Sequence, residues 1–104
     1  MSFLIPVQRL RETPTLMAFH HPRPSYPLHI LIVPKRALSS LQALSPADAD
    51  FMLDLFATTQ SLVVEFHLAD AGKGYSLIAN GGDRQDVPQL HFHLVSGDYR
   101  AVEE

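Results

Sequence analysis

Gln89, His91 and His93 alternate with Leu90, Phe92 and Leu94 in a run that closes on Val95. On an extended chain successive side chains take opposite faces. The amide and the two imidazoles therefore share one side, and the three apolar residues share the other, which must be the core. Same-face neighbours on a strand stand about 6.5 Å apart. Imidazole has the side-chain pKa nearest neutrality, so such a row can attack an electrophile or move a proton. A strand over Val87–Val95 would hold the row rigidly, as a reaction geometry requires. The same His-x-His spacing can ligate a metal, with His29 as a third ligand if its strand lies alongside. No carboxylate or cysteine sits within the run to favour that use. Out of context, two histidines on one strand face are more often structural than catalytic.

Other segments must position this row. Val7–Glu12 and Thr15–Phe19 read as two strands separated by the turn signal Glu12-Thr13-Pro14. His20–Pro27 contains Pro22, Pro24 and Pro27 and reads as a loop, leaving His20 and His21 as edge residues. Leu28–Val33 is apolar and β-branched and stops at Pro34, which suits a buried strand. His29 is its single polar residue, equally suited to a ligand site and to a backbone-bonded place in the core.

Ser39–Leu44 could form a short helical turn. Ser45-Pro46-Ala47-Asp48 then opens a long helix: a cap, a proline at the first position and an acid that complements the dipole. Phe51, Leu55, Leu62 and Phe66 form its apolar stripe, widened by Met52, Phe56 and Val63. The helix is expected to reach Leu68 or Ala69 and to end before Gly72 and Gly74. His67 near that end complements the dipole and is assigned no function. Tyr75–Ala79 reads as a further strand, and Asn80–Arg84 as a tight glycine-rich loop before the His-x-His strand. The order predicts an α+β domain: an antiparallel sheet of about five strands, one long helix and a short helical turn.

Composition limits the remaining possibilities. A chain of 104 residues suits one domain, and 46% apolar residues supply a modest core. Zero cysteines exclude a disulfide scaffold and any cysteine-ligated zinc. The net charge of −3 argues against a broad nucleic-acid-binding surface. Lys35-Arg36 is a short basic pair, read as solvated surface. No apolar run is long enough to span a bilayer, and Met1–Pro6 lacks the basic start and apolar core of a signal peptide. The default expectation is a cytoplasmic protein with neither membrane nor nucleic acid as partner.

The run Gln89–Val95 resembles the signature of the histidine triad (HIT) family, His-x-His-x-His followed by two apolar residues, with glutamine at the first position. Leu16–His20 is similar to the family's early strand, and Pro27–Arg36 to its central strand and Pro-Lys turn. Asn80 through Val87 is similar to the loop before the triad. The resemblance covers roughly residues 7 to 97 in order and implies a single HIT-like domain over 1–104. It implies a hydrolase or transferase acting on the α-phosphate of a nucleotide conjugate, a phosphoramidate or a dinucleoside polyphosphate. His91 would be the nucleophile, forming a covalent phosphoramidate. A backbone carbonyl would fix its tautomer. His93, Gln89 and His29 would complete the catalytic set.

Phe19, His21, Asn80, Gln85 and Asp86 would contact the nucleotide, Phe19 flanking the base and the Asn80–Gln85 loop presenting amides to phosphate. His21 stands where many relatives carry an aspartate for the ribose, and Asp86 where they commonly carry a serine for phosphate. The resemblance implies no metal and no cofactor. It implies a homodimer paired through the helix and an adjacent strand. The alternative is a nucleotide-binding module with little turnover that acts through a partner protein.

Overall fold

The computed structural model describes residues 8–100. Met1–Pro6 and the Val7 end of the first predicted strand lie outside the described residues. Five strands are formed: β1 (Arg9–Glu12), β2 (Leu16–His20), β3 (Leu28–Pro34), β4 (Ser76–Ala79) and β5 (Phe92–Ser96). They make one antiparallel sheet in the order β1-β2-β3-β5-β4. The helix α1 (Ala49–Glu65) crosses between β3 and β4.

Register gives the two faces of the sheet different work. Ala18 pairs with Ile32, Ile32 with Phe92, and Phe92 with Ala79. The row beside it runs from Ile30 through Leu94 to Leu77. These rows belong to the core cluster, which also takes Phe51, Leu55 and Leu62 from α1. Each Leu, Ile or Phe among them contributes about 1.5–3 kcal/mol on full burial. On the opposite face Phe19 pairs with Leu31, Leu31 with His93, and His93 with Ile78. The core thus lies on one side of the sheet and the histidines on the other.

The helix begins as its sequence predicts, with one refinement. The Ser45 side chain accepts from the Ala47 N–H, and the Asp48 carboxylate accepts from the Ser45 N–H at 3.1 Å. Pro46–Asp48 is a single 3₁₀ turn before α1 proper. Asp48 is buried and also receives Arg36 at 2.6 Å. Arg11 bonds Ser61 and Glu65, while Thr13 and Thr15 both donate to Asp54. The first hairpin is thereby tied along one flank of the helix.

Three expectations are corrected. The helix stops at Glu65 rather than Leu68. His67 takes φ +56°, and its N–H reaches the Val64 carbonyl while the Leu68 N–H reaches that of Val63. This is a Schellman closure, which normally calls for glycine at the left-handed position. Leu68 is buried beneath it, and that burial holds the histidine in place. Phe56 is 60% exposed and outside the core. Residues 87 to 91 are not part of β5: the chain bends over residues 87 to 89, and the Leu90 N–H bonds the Leu38 carbonyl instead of a neighbouring strand. Among the described residues no helix is long and apolar enough to cross a membrane.

Candidate active site

Four imidazoles converge on the face of the sheet turned away from α1. His29 lies on β3, His93 on β5, His91 one residue before β5, and His21 one residue after β2. Ring centroids stand 4.4 Å apart for His21 and His29, 5.1 Å for His29 and His93, and 4.9 Å for His91 and His93. A pocket of about 260 Å³ opens over them, lined by His21, His91, His93, Gln89, Asp86, Leu31, Val33 and Val87.

Backbone groups assign the protons. The Ser25 N–H donates to His29 Nδ1 at 3.0 Å, so that nitrogen carries no hydrogen. Neutral His29 then holds its proton on Nε2, which lies 2.8 Å from His93 Nδ1 and donates to it. His93 must in turn carry its own proton on Nε2. His91 is fixed the opposite way: its Nδ1 lies 2.8 Å from the Gln89 carbonyl, which can only accept. His91 Nε2 is left with a free lone pair. One ring thus offers a nucleophilic nitrogen and its neighbour an N–H donor, each dictated by the main chain. His21 also accepts a backbone N–H, that of Arg23, at Nδ1.

Electrostatics disfavour charge on His21, His29 and His93. Burial, followed by the neighbouring rings of His21 and His93, lowers the His29 pKa to about 4. Burial lowers His93 to about 4 as well, assisted by His91 and His21 and opposed by Asp86. His21 is lowered by burial, then by His91 and Arg23. A charged ring in this row would lose hydration and would meet other imidazoles.

The other predicted site residues fall in different places. The Gln89 carboxamide lines the pocket and makes no hydrogen bond among the described residues, although its backbone carbonyl holds His91. Asp86 lines the pocket from the loop side. Phe19 is buried on the histidine face, paired with Leu31, but does not line the pocket. Asn80 follows β4 and is not in the lining. The Gln85 side chain donates to the carbonyls of Ser39 and Val87, which makes it a loop clamp. The nitrogens of His29 and His93 point at each other rather than at a common centre, and among the described residues no three such side chains are arranged to hold a metal.

Two contributors escaped the sequence reading. Ser25 acts through its amide, which no residue type announces. Tyr26 packs edge-on to His29, with ring centroids 5.5 Å apart, and against Tyr99. The Arg100 N–H bonds the Ser25 carbonyl, so the segment after β5 closes over this loop. Gly97 makes that closure possible. It has φ +87°, and a Cβ there would come within 2.6 Å of Pro27.

The model of the HIT domain matches residues 3–100. This chain belongs to the HIT family. An uncharacterised HIT-like protein of Helicobacter pylori is 31% identical over 98 residues, covering 90% of this chain and 88% of the relative. Among solved structures, a HIT family hydrolase from Legionella pneumophila superposes with a TM-score of 0.81 at 27% identity, over 90% of this chain and 84% of that one. A histidine triad nucleotide-binding protein from Candida albicans gives 0.78 at 26% identity, over 93% of this chain and 68% of that one. HIT membership accords with the five-stranded sheet and single long helix described above.

Proposed function

We propose that this HIT protein hydrolyses, or transfers the nucleotidyl group of, a nucleotide conjugate by attack of His91 on the α-phosphorus. The observation that carries this reading is the opposed tautomers of His91 and His93 over one pocket. The His91 Nε2 lone pair forms the N–P bond as the bond from phosphorus to the leaving group breaks. The leaving group departs with the electron pair. The Gln89 carbonyl then faces an Nδ1–H on a ring that has gained positive charge, and stabilises it. The His93 Nε2–H donates to a phosphoryl oxygen. Water next attacks phosphorus, the N–P pair returns to His91, and the proton of the water passes to solvent. The Legionella relative, named a hydrolase, and the Candida relative, named nucleotide-binding, support the same reading. Brief incubation with a labelled adenylyl phosphoramidate, followed by a denaturing quench, should leave an acid-labile adduct on His91. Label absent from His91 while product accumulates would remove the covalent mechanism.

The second reading, a binding module with little turnover, has one observation in its favour. Gln89 is an amide and His93 is held neutral, so neither neighbour of His91 supplies a cationic acid near neutrality. Departure of a poor leaving group is therefore unassisted, and general acid assistance is commonly worth about 10²–10⁴-fold. Gln89→His should raise the rate more on a poorly leaving conjugate than on an activated aryl ester. Equal mutant-to-wild-type ratios across a leaving-group series would mean that Gln89 only positions phosphate.

The homodimer is part of the same proposal. Leu53, Phe56 and Val64 are exposed along one stripe of α1, and β4 is an edge strand. A second copy would cover both. Sedimentation at micromolar concentration should give twice the chain mass. A monomer would discard the pairing without touching the chemistry.

A further inference from the structure

The pocket lining is electrically mixed. It includes His21, whose Nδ1 is held by the Arg23 amide. It also includes Asp86, on the loop that leads into the His91 segment. Beyond burial and the neighbouring rings, His21 feels the positive charge of Arg23 and His93 feels the negative charge of Asp86. Among the described residues Asp86 is the only carboxylate in the lining, and no lysine or arginine lines the pocket. Among the described residues its side chain has neither a hydrogen bond nor an ion pair. The His93 ring beside it is held neutral and does not compensate it. A phosphoryl anion bound at His91 and His93 would therefore meet an uncompensated carboxylate.

That repulsion is relieved if the substrate brings its own cation. We infer that Asp86 binds a protonated amine on the substrate and selects zwitterionic nucleotide conjugates over purely anionic ones. The inference rests on the nucleotidyl reading and specifies its substrate class. A nucleoside carries no cation at neutral pH, so the charge belongs to the departing half. The fitting compound is a nucleoside phosphoramidate of a diamine or of a basic amino acid. In its cleavage the His91 Nε2–P bond forms and the P–N bond breaks. The amine nitrogen leaves with the electron pair and takes one proton from solvent, while its distal ammonium stays paired with Asp86.

The test is a matched pair of adenosine phosphoramidates, one of butylamine and one of 1,4-diaminobutane. Both have the same P–N bond, and only the second carries a terminal ammonium. Wild-type kcat/KM should favour the diamine conjugate by about tenfold at low salt, and Asp86→Asn should bring the ratio near one. A wild-type ratio of one or below, or a ratio unchanged in Asp86→Asn, overturns the inference. Failure of the nucleotidyl reading looks different: neither compound is cleaved and no His91 adduct forms. Calorimetric binding of the same pair to His91→Ala then decides the role of Asp86. A cation preference lost in the His91→Ala/Asp86→Asn double variant supports it, and equal binding of the two compounds rejects it.

Discussion

His91→Ala should abolish turnover, lowering kcat by roughly 10⁴–10⁶-fold, while a nucleotide still binds with nearly unchanged affinity. The magnitude follows from what the ring contributes. Its Nε2 lone pair supplies the bond to phosphorus, and among the described residues no other side chain in the pocket presents an equivalent one. His29 Nε2 and His93 Nε2 carry protons, and His21 Nδ1 is occupied by the Arg23 amide. The ring's contribution is realised in the transition state rather than in the ground state, so kcat falls far more than affinity. The fold should tolerate the change, because His91 lies before β5 and outside the core cluster. Stopped assays with an activated adenylyl ester, beside calorimetric titration with the mononucleotide, separate the two effects. A variant retaining wild-type kcat would overturn the assignment. Equal loss of affinity and rate would make His91 a binding residue only.

His29→Phe should cost about 10²-fold in kcat although His29 does not line the pocket. Phenylalanine fills the same space between Tyr26 and His21 but has no Nε2–H to give to His93. His93 then loses both its orientation and its fixed tautomer, and a small misplacement of a catalytic group is enough for a loss of this size. Nitrogen-15 shifts of His93 should change from those of an Nε2-protonated ring to those of a mixture.

The same variant should alter the dependence of stability on pH. An unfolded histidine takes a proton near pH 6.5, whereas folded His29 and His93 resist it until about 4. Between those values the unfolded chain binds more protons, so acidification favours unfolding. Above pH 6.5 neither state is protonated and the penalty is absent; below about 4 it is fully present. Wild-type denaturation midpoints should fall steadily from pH 7 to 4, and His29→Phe should flatten the slope. An unchanged slope would mean that His29 does not resist protonation.

The legible part of the fold was the part written in side-chain periodicity. Alternation from Gln89 to Leu94 assigned the faces correctly even though pairing begins only at Phe92. Alternation reports which side an extended residue faces, not what its amide bonds. Pro88 has no N–H, and the Leu90 N–H is taken by Leu38, so the ladder starts late. The end of α1 was misread for a related reason. Gly72 and Gly74 look like the stop, but burial of Leu68 draws the chain through a left-handed turn at His67 first.

In the site, His91, His93, Gln89, His21 and Asp86 meet at one pocket, and the carbonyl expected to hold His91 belongs to Gln89. The resemblance implies that Gln85 contacts the nucleotide. Its carboxamide is spent on Ser39 and Val87. His29 looked equally at home in a site or in the core. It is buried, and it is also the link between the Ser25 amide and His93.

That amide has a consequence for variation at position 25. The Ser25 hydroxyl makes no hydrogen bond among the described residues, whereas its N–H and carbonyl hold His29 and Arg100. Any residue with an amide proton can do the same, and proline, which flanks it at Pro24 and Pro27, cannot. Position 25 is therefore permissive to side chains and strict about its backbone. Drift there would look neutral in every replacement but one, and the constraint on the proton chain would leave almost no trace in residue identity.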